Sequence, residues 1–322
     1  MKQVLSALVL SCIGLGSVHA QAPYPSKTIT IVVPYAAGGL SDSLARALGQ
    51  RLSTNLKQQV IIENKGGGNT VIGASAVAKA PADGYTLLLT AEATLAMNPH
   101  LYAKLAYQPE TSFAPVAALV NLPQAMAVSG SSTVKTLAGL IAKAKGNPGK
   151  TTYATLGTGS TAHLNMELFQ QTTGITMLSV PYKGASPALT DLMGGHVEAM
   201  VVATGLAAQY ANAGKLRLLA VAGAKRSPLA PDVPTFTEAG MPAFAPASWF
   251  ALLAVAGTPP EIVKQLNTAV TTILMDPVFK TEYLDKNGME PIGGPSEQLA
   301  ALIKSESLRW GNVIRVASIK LD

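Results

Sequence analysis

Short apolar runs alternate with stretches of helical periodicity along most of this chain. The runs cover residues 28–33, 60–63, 86–89, 152–155, 177–180, 199–202 and 218–222. Each is apolar throughout and lacks the two-residue alternation of a half-solvated strand, so each is predicted as a strand covered by helices on both faces. The segments between them place apolar residues three and four apart, which predicts helices at 41–56, 160–172, 187–194 and 260–275. Two final helices flank the turn Gly293-Gly294-Pro295, the last over 296–317. This rhythm predicts an α/β fold with mostly parallel sheets.

The first twenty residues break the pattern. Lys2 precedes an apolar run from Val4 to Val18, and small residues lead to Ala20. This is the composition of a cleavable export signal, shorter than the roughly 20 residues a spanning helix needs. The mature chain is therefore expected to begin near Gln21 and to reside in the periplasm. Val9-Leu10-Ser11-Cys12 loosely resembles a lipoprotein site, and whether Cys12 carries a lipid is left open. Cleavage after Ala20 removes this one cysteine of the 322 residues, which excludes disulfides, thiol catalysis and cysteine-held metals from the mature chain.

About 300 residues exceed the usual size of one core, so two lobes with a cleft between them are expected. The sequence divides into a signal peptide at 1–20, lobe 1 at 21–125, lobe 2 at 126–235, and a return to lobe 1 at 236–322. The net charge of +6 is spread without a basic block, and aromatic residues are only 5%. Neither nucleic-acid binding nor a stacking platform for bases is expected.

Two turns carry the candidate chemistry. After the first strand comes Pro34-Tyr35-Ala36-Ala37-Gly38-Gly39-Leu40-Ser41-Asp42, leading into a helix. Glycines admit a ligand to the backbone, and the free amides of a helix start together carry about half a positive charge. A carboxylate can be held there without Arg or Lys. The same turn is equally well explained as a tight strand-to-helix connection. The second instance is Leu156-Gly157-Thr158-Gly159-Ser160-Thr161-Ala162-His163, where hydroxyls join the amides. A bidentate acid bridging the two turns, one carboxylate per helix start, is the expectation. The candidate contacts are Tyr35, Ala37, Gly38, Gly39 and Asp42, with Thr90 just after the strand predicted at 86–89. On the other side they are Thr158, Gly159, Ser160 and His163, with Tyr182 closing the wall and Val202 and Ala203 forming an apolar face.

Other chemistries find no support. Gly157-x-Gly159-x-x-Ala162 matches a dinucleotide fingerprint, but no acidic residue follows about twenty positions on to hold a ribose. Gly66-Gly67-Gly68 lacks the Lys-Ser or Lys-Thr of a phosphate loop. Ser160 and His163 have no carboxylate placed to orient the imidazole, so no catalytic residue is assigned. His100, His163 and His196 show no metal-ligand spacing, so neither a metal nor a cofactor is expected.

Several segments together resemble the Bug family of extracytoplasmic solute receptors, related to tripartite tricarboxylate transporters. The carriers are Pro34 to Gly39 with Asp42 and Ala45-Arg46, Glu63 to Gly68, Asp83 to Leu88, Val180 to Gly184, Asp191 to Gly195, and Pro231 to Thr235 with Glu238-Ala239-Gly240. The resemblance implies a two-lobe periplasmic binding fold of type II that closes on a hinge around a carboxylate. It also implies a receptor for a small organic acid, a di- or tricarboxylate or an aromatic acid, and no enzyme. An exported hydrolase is the alternative. The implied partners are that ligand and membrane transporter subunits or a sensor protein, with the receptor monomeric. Many relatives carry Asp where this chain has Val202, which argues against a ligand amine.

Overall fold

The computed structural model describes residues 24–321, so the signal segment and Cys12 lie outside the described residues. Ten strands form one curled sheet: β1 (Ile29–Val33), β2 (Val60–Asn64), β3 (Thr86–Ala91), β4 (Phe113–Ser129), β5 (Thr152–Thr155), β6 (Leu178–Pro181), β7 (Ala199–Ala203), β8 (Leu216–Val221), β9 (Ala247–Val255) and β10 (Glu290–Gly293). Eight helices of eight residues or more cover it. They are α1 (Leu40–Leu56), α2 (Val71–Ala78), α3 (Leu137–Gly146), α4 (Thr161–Thr173), α5 (Ala185–Gly194), α6 (Thr204–Asn212), α7 (Pro260–Met275) and α8 (Ser296–Val316). The strand order is β2-β1-β3-β9-β4-β7-β5-β6, with β8 and β10 also paired to β4.

The continuous hydrophobicity of β1 has the expected cause, whereas the edge strands β2 and β6 are not covered on both faces and leave Ile61 and Leu178 exposed. In β1, Ile29, Ile31 and Val33 enter a core with Leu44, Leu48 and Leu52 of α1 and Leu266 and Val270 of α7. Val32 points the other way, into a core with Ala74 and Val77 of α2 and Leu299 and Ile303 of α8. Both faces are dry. The second half repeats this plan, with Met126, Val128 and Val201 against α3 and α4, and Ala125, Met200 and Val202 against α5 and α6.

The sheet is mixed. Among the described residues, four of nine strand pairings are parallel, and all four lie among the outer strands β1, β2, β3 and β5, β6, β7. The antiparallel pairings all involve β4 or β9. These two strands escape the sequence reading because β4 holds Pro115 and Pro123, which demote a run as strand, and β9 is rich in alanine. The 17-residue β4 serves both halves, pairing with β9 through Pro123 and with β7 from Gln124 onward. Phe236, Met241 and Phe244 pack in the second half, before β9 returns at Ala247. We therefore propose that lobe 2 runs from Gln124 to about Phe244, and lobe 1 comprises the remainder of the described chain.

Candidate functional site

At the lobe 1 edge, β1 ends in the exposed turn 36–39 and α1 begins at Leu40. Gly38 has φ +82°, a conformation that favours glycine, and a Cβ there would meet nothing within 4 Å. The Gly38 amide donates to Asp42 Oδ2 at 2.9 Å, and Arg46 Nε donates to the same oxygen at 3.0 Å. Arg46 thereby neutralises the acid in the first turn and holds the buried Asp42 carboxyl below its ordinary range. The helix start itself remains without a side-chain cap. Among the described residues, the amides of Gly39, Leu40, Ser41 and Asp42 have no acceptor.

Tyr35 closes the floor of this turn. Its carbonyl accepts from Asn64 Nδ2, and its hydroxyl accepts from the Ala91 amide at 3.3 Å. Burial pushes the phenol up to about 12, so it stays protonated. Thr90 lies beside it and bonds Thr94, whose hydroxyl donates to Thr70 at 2.8 Å. Asn98 extends this buried network to Thr70 and Tyr107. The adjacency of β1 and β3 thus brings together Tyr35 and Thr90, fifty-five positions apart in sequence.

At the lobe 2 edge, β5 ends and Ser160 caps α4, its Oγ accepting from the His163 amide at 3.3 Å. His163 Nδ1 accepts from the Gly159 amide at 3.1 Å, which defines that nitrogen as unprotonated. Nε2 faces Glu167 Oε1 at 3.6 Å, and burial lowers the His163 pKa despite that carboxylate. The Gly159 amide and the Ser160 hydroxyl are therefore engaged inside the protein. Thr158 is exposed at the turn, and the amides of Thr161 and Ala162 have no acceptor among the described residues. Gly159 has φ +77°, but a Cβ there would lie 2.9 Å from Leu101 Cδ1 and 3.1 Å from Leu321 Cδ1. This glycine permits packing of the turn on lobe 1.

The remaining candidates are placed differently. The Tyr182 hydroxyl donates to Asp191 Oδ2 at 2.7 Å, within lobe 2. Val202 is buried in the lobe 2 core, and Ala203 packs against the lobe 1 core near the crossing of β4. An acid at position 202 would enter that core, so Val202 makes no statement about a ligand amine.

Glu92 is among the residues that join the two halves, and it carries no sequence motif. Glu92 follows β3, is fully buried, and accepts from Thr161 Oγ1 at 2.8 Å through Oε1. Its Oε2 accepts from Ser248 Oγ at 2.8 Å and from the Trp249 amide at 2.9 Å. Burial drives its pKa up, opposed by these three donors. A contact path Tyr35–Ala91–Glu92–Thr161 therefore connects the two helix starts. The one sequence signal was an acid within the otherwise neutral run 84–103. Among the described residues, no cluster of His, Cys, Asp and Glu is arranged to hold a metal.

Comparison with known proteins places these features in context. A family model described as the tripartite tricarboxylate transporter family receptor matches residues 44–319. The chain is similar to the periplasmic binding protein BugD, at 33% identity and TM-score 0.81 over 92% of this chain and 99% of that one. It is similar to R. palustris Rpa4515 with adipate, at 38% identity and TM-score 0.85 over 92% and 99%. It is also similar to MatC from Rhodopseudomonas palustris with bound malate, at 32% identity and TM-score 0.81 over 90% and 100%. The resemblance read from the motifs is borne out, and the architecture is that of a periplasmic binding protein.

Proposed function

This chain belongs to the tripartite tricarboxylate transporter receptor family, and from that premise we propose that it is a periplasmic receptor capturing a small organic carboxylate for uptake or sensing. The ligand class is a di- or tricarboxylate or an aromatic acid. The observation that carries this reading is the run of four amides, Gly39 to Asp42, that opens α1 without any acceptor among the described residues. Such amides attract an anion electrostatically and bond its oxygens directly. Relatives holding adipate and malate support the class.

Ala37, Gly38 and Gly39 form the approach to the ligand on lobe 1, with Tyr35 and Thr90 beneath. Thr158 and the amides of Thr161 and Ala162 face it from lobe 2. Closure of the lobes on the crossing strands completes the enclosure, and the closed form is what transporter subunits or a sensor recognise. A hydrolase reading is disfavoured because Ser160 caps its own helix and His163 Nδ1 is bonded to Gly159.

A thermal-shift screen of the purified protein against mono-, di- and tricarboxylates and aromatic acids tests this. At a hundred times Kd, a binding acid adds about 2.7 kcal/mol of stability and a clear rise in Tm. A protein whose melting responds to no carboxylate is not this receptor.

A further inference from the structure

Strand β8 is an edge of the lobe 2 part of the sheet. Among the described strands it pairs only with β4, from Leu216 opposite Ser129 to Val221 opposite Ala125. The Gly130 amide donates to the Lys215 carbonyl and the Ala222 amide to the Gln124 carbonyl, so residues 215 and 222 turn their main-chain groups toward β4. Successive residues of an antiparallel strand turn theirs to opposite sides, which aims those of Leu216, Leu218 and Val221 outward, on either side of the register shift at Met126/Ala127. Val221 uses that outer side: its amide donates to the Pro234 carbonyl and its carbonyl accepts from the Phe236 amide. The segment 234–236 thereby starts a further, parallel strand but covers the edge at Val221 alone. Leu216 and Leu218 have no outer main-chain partner among the described residues.

A groove of about 740 Å³ lies along this uncovered edge, lined by Leu216 to Leu219, by the start of α3 and by the segment 232–239. It shares no residue with the glycine-rich turns of the cleft. Arg217 lines it without a hydrogen bond or ion pair among the described residues, and its Nε is buried with no acceptor. Lys135 lines it too and stands in no ion pair among the described residues. Of the acids in the groove, Glu238 is engaged by Arg226 at 2.9 Å and by the Thr235 amide at 2.7 Å, whereas Asp232 is exposed.

We propose that this groove is a docking surface for an extended, acidic peptide segment of a protein partner, which adds to the edge of β8 as a strand and sets a carboxylate on Arg217. Open amides and carbonyls along a strand edge match an extended main chain, which a small acid cannot reproduce. A buried guanidinium nitrogen without an acceptor is costly, and a carboxylate satisfies it through charge-assisted bonds. The segment's acid belongs beside Arg217 and Lys135, and a neutral or basic residue beside Asp232. Because the groove lies outside the cleft, a small ligand and the partner segment can be held together.

Panning a phage-displayed random peptide library against the purified protein supplies the probes, and the enriched peptides are then synthesised. They are expected to carry Asp or Glu among β-branched or aromatic residues. Their binding should slow hydrogen exchange at the Leu216 and Leu218 amides by at least about tenfold, since each gains an acceptor. Affinity should fall at least about tenfold in Arg217→Gln, measured by calorimetry beside a melting curve. Failure to enrich any peptide overturns the proposal. So do peptides that leave the Leu216 and Leu218 amides exchanging as before, a wild-type result that stands even if the variant does not fold. Equal affinity for wild type and Arg217→Gln overturns it as well.

Discussion

The Gly159 amide donates to Nδ1 of His163 at 3.1 Å, so the glycine-rich turn of lobe 2 is braced by an imidazole from the helix it introduces. This bond requires the neutral ring, and burial lowers the His163 pKa from 6.5 accordingly. Folded-state protonation is thus harder than unfolded-state protonation, and the unfolded chain binds the extra proton first as pH falls. His163 contributes stability fully above about pH 6.5, and that contribution is lost on acidification toward the depressed folded value. Glu167, the charged group facing the ring, opposes the loss but does not reverse it. Thermal melts of wild type and His163→Gln between pH 8 and 5 should show the wild type losing more Tm than the variant; equal losses would remove His163 as the cause.

Gly39→Val should weaken binding of the best acid by more than about tenfold, because side-chain bulk meets the ligand at the free amides. The protein itself has room: a Cβ at Gly39 meets only the Ala36 carbonyl, at 3.7 Å. Calorimetry with a parallel melting curve separates the two effects, and unchanged affinity would move the site elsewhere. Gly159→Val is unsuited to this purpose, since its contacts with Leu101 and Leu321 predict lost stability whatever the ligand does.

Leu164→Ala should destabilise the protein by about 2–5 kcal/mol in urea unfolding. Leu164 is fully buried between lobes, against Leu101, Trp310 and Val313 of lobe 1. A loss below about 1 kcal/mol would mean that this interlobe contact collapses easily or is already open in solution.

Tyr182→Phe should leave ligand affinity unchanged and lower stability by about 1 kcal/mol, the net worth of its bond to Asp191. A loss of affinity greater than about threefold would return Tyr182 to the cleft wall.

Much of the fold was legible because its cause is local. Val32 and Leu88 sit in one core while their neighbours Ile31, Val33, Leu87 and Leu89 sit in another, and a strand buried on both faces must read as an unbroken apolar run. The helix over Pro260–Met275 was equally plain, with Leu266, Val270, Ile273 and Leu274 on one face. Strand β4 was not legible, because its proline-interrupted, alanine-rich run becomes a strand only through partners drawn from both lobes. Among the candidate residues, Thr90 follows directly on a strand legible in the sequence, while Glu92 lacked any spacing or motif.

Residue order along the chain suffices for the α/β rhythm, the two glycine-rich turns that open α1 and α4, and membership of a receptor family, since these depend on residue types within one turn or one strand. Which amides remain free follows from the folded arrangement. Asp42, His163 and Ser160 take up some of the donors nearest to them, and Glu92 reaches Thr161 across sixty-nine positions. Hydrogen-bond occupancy depends on through-space distances of a few ångströms, which a linear order of residues does not contain.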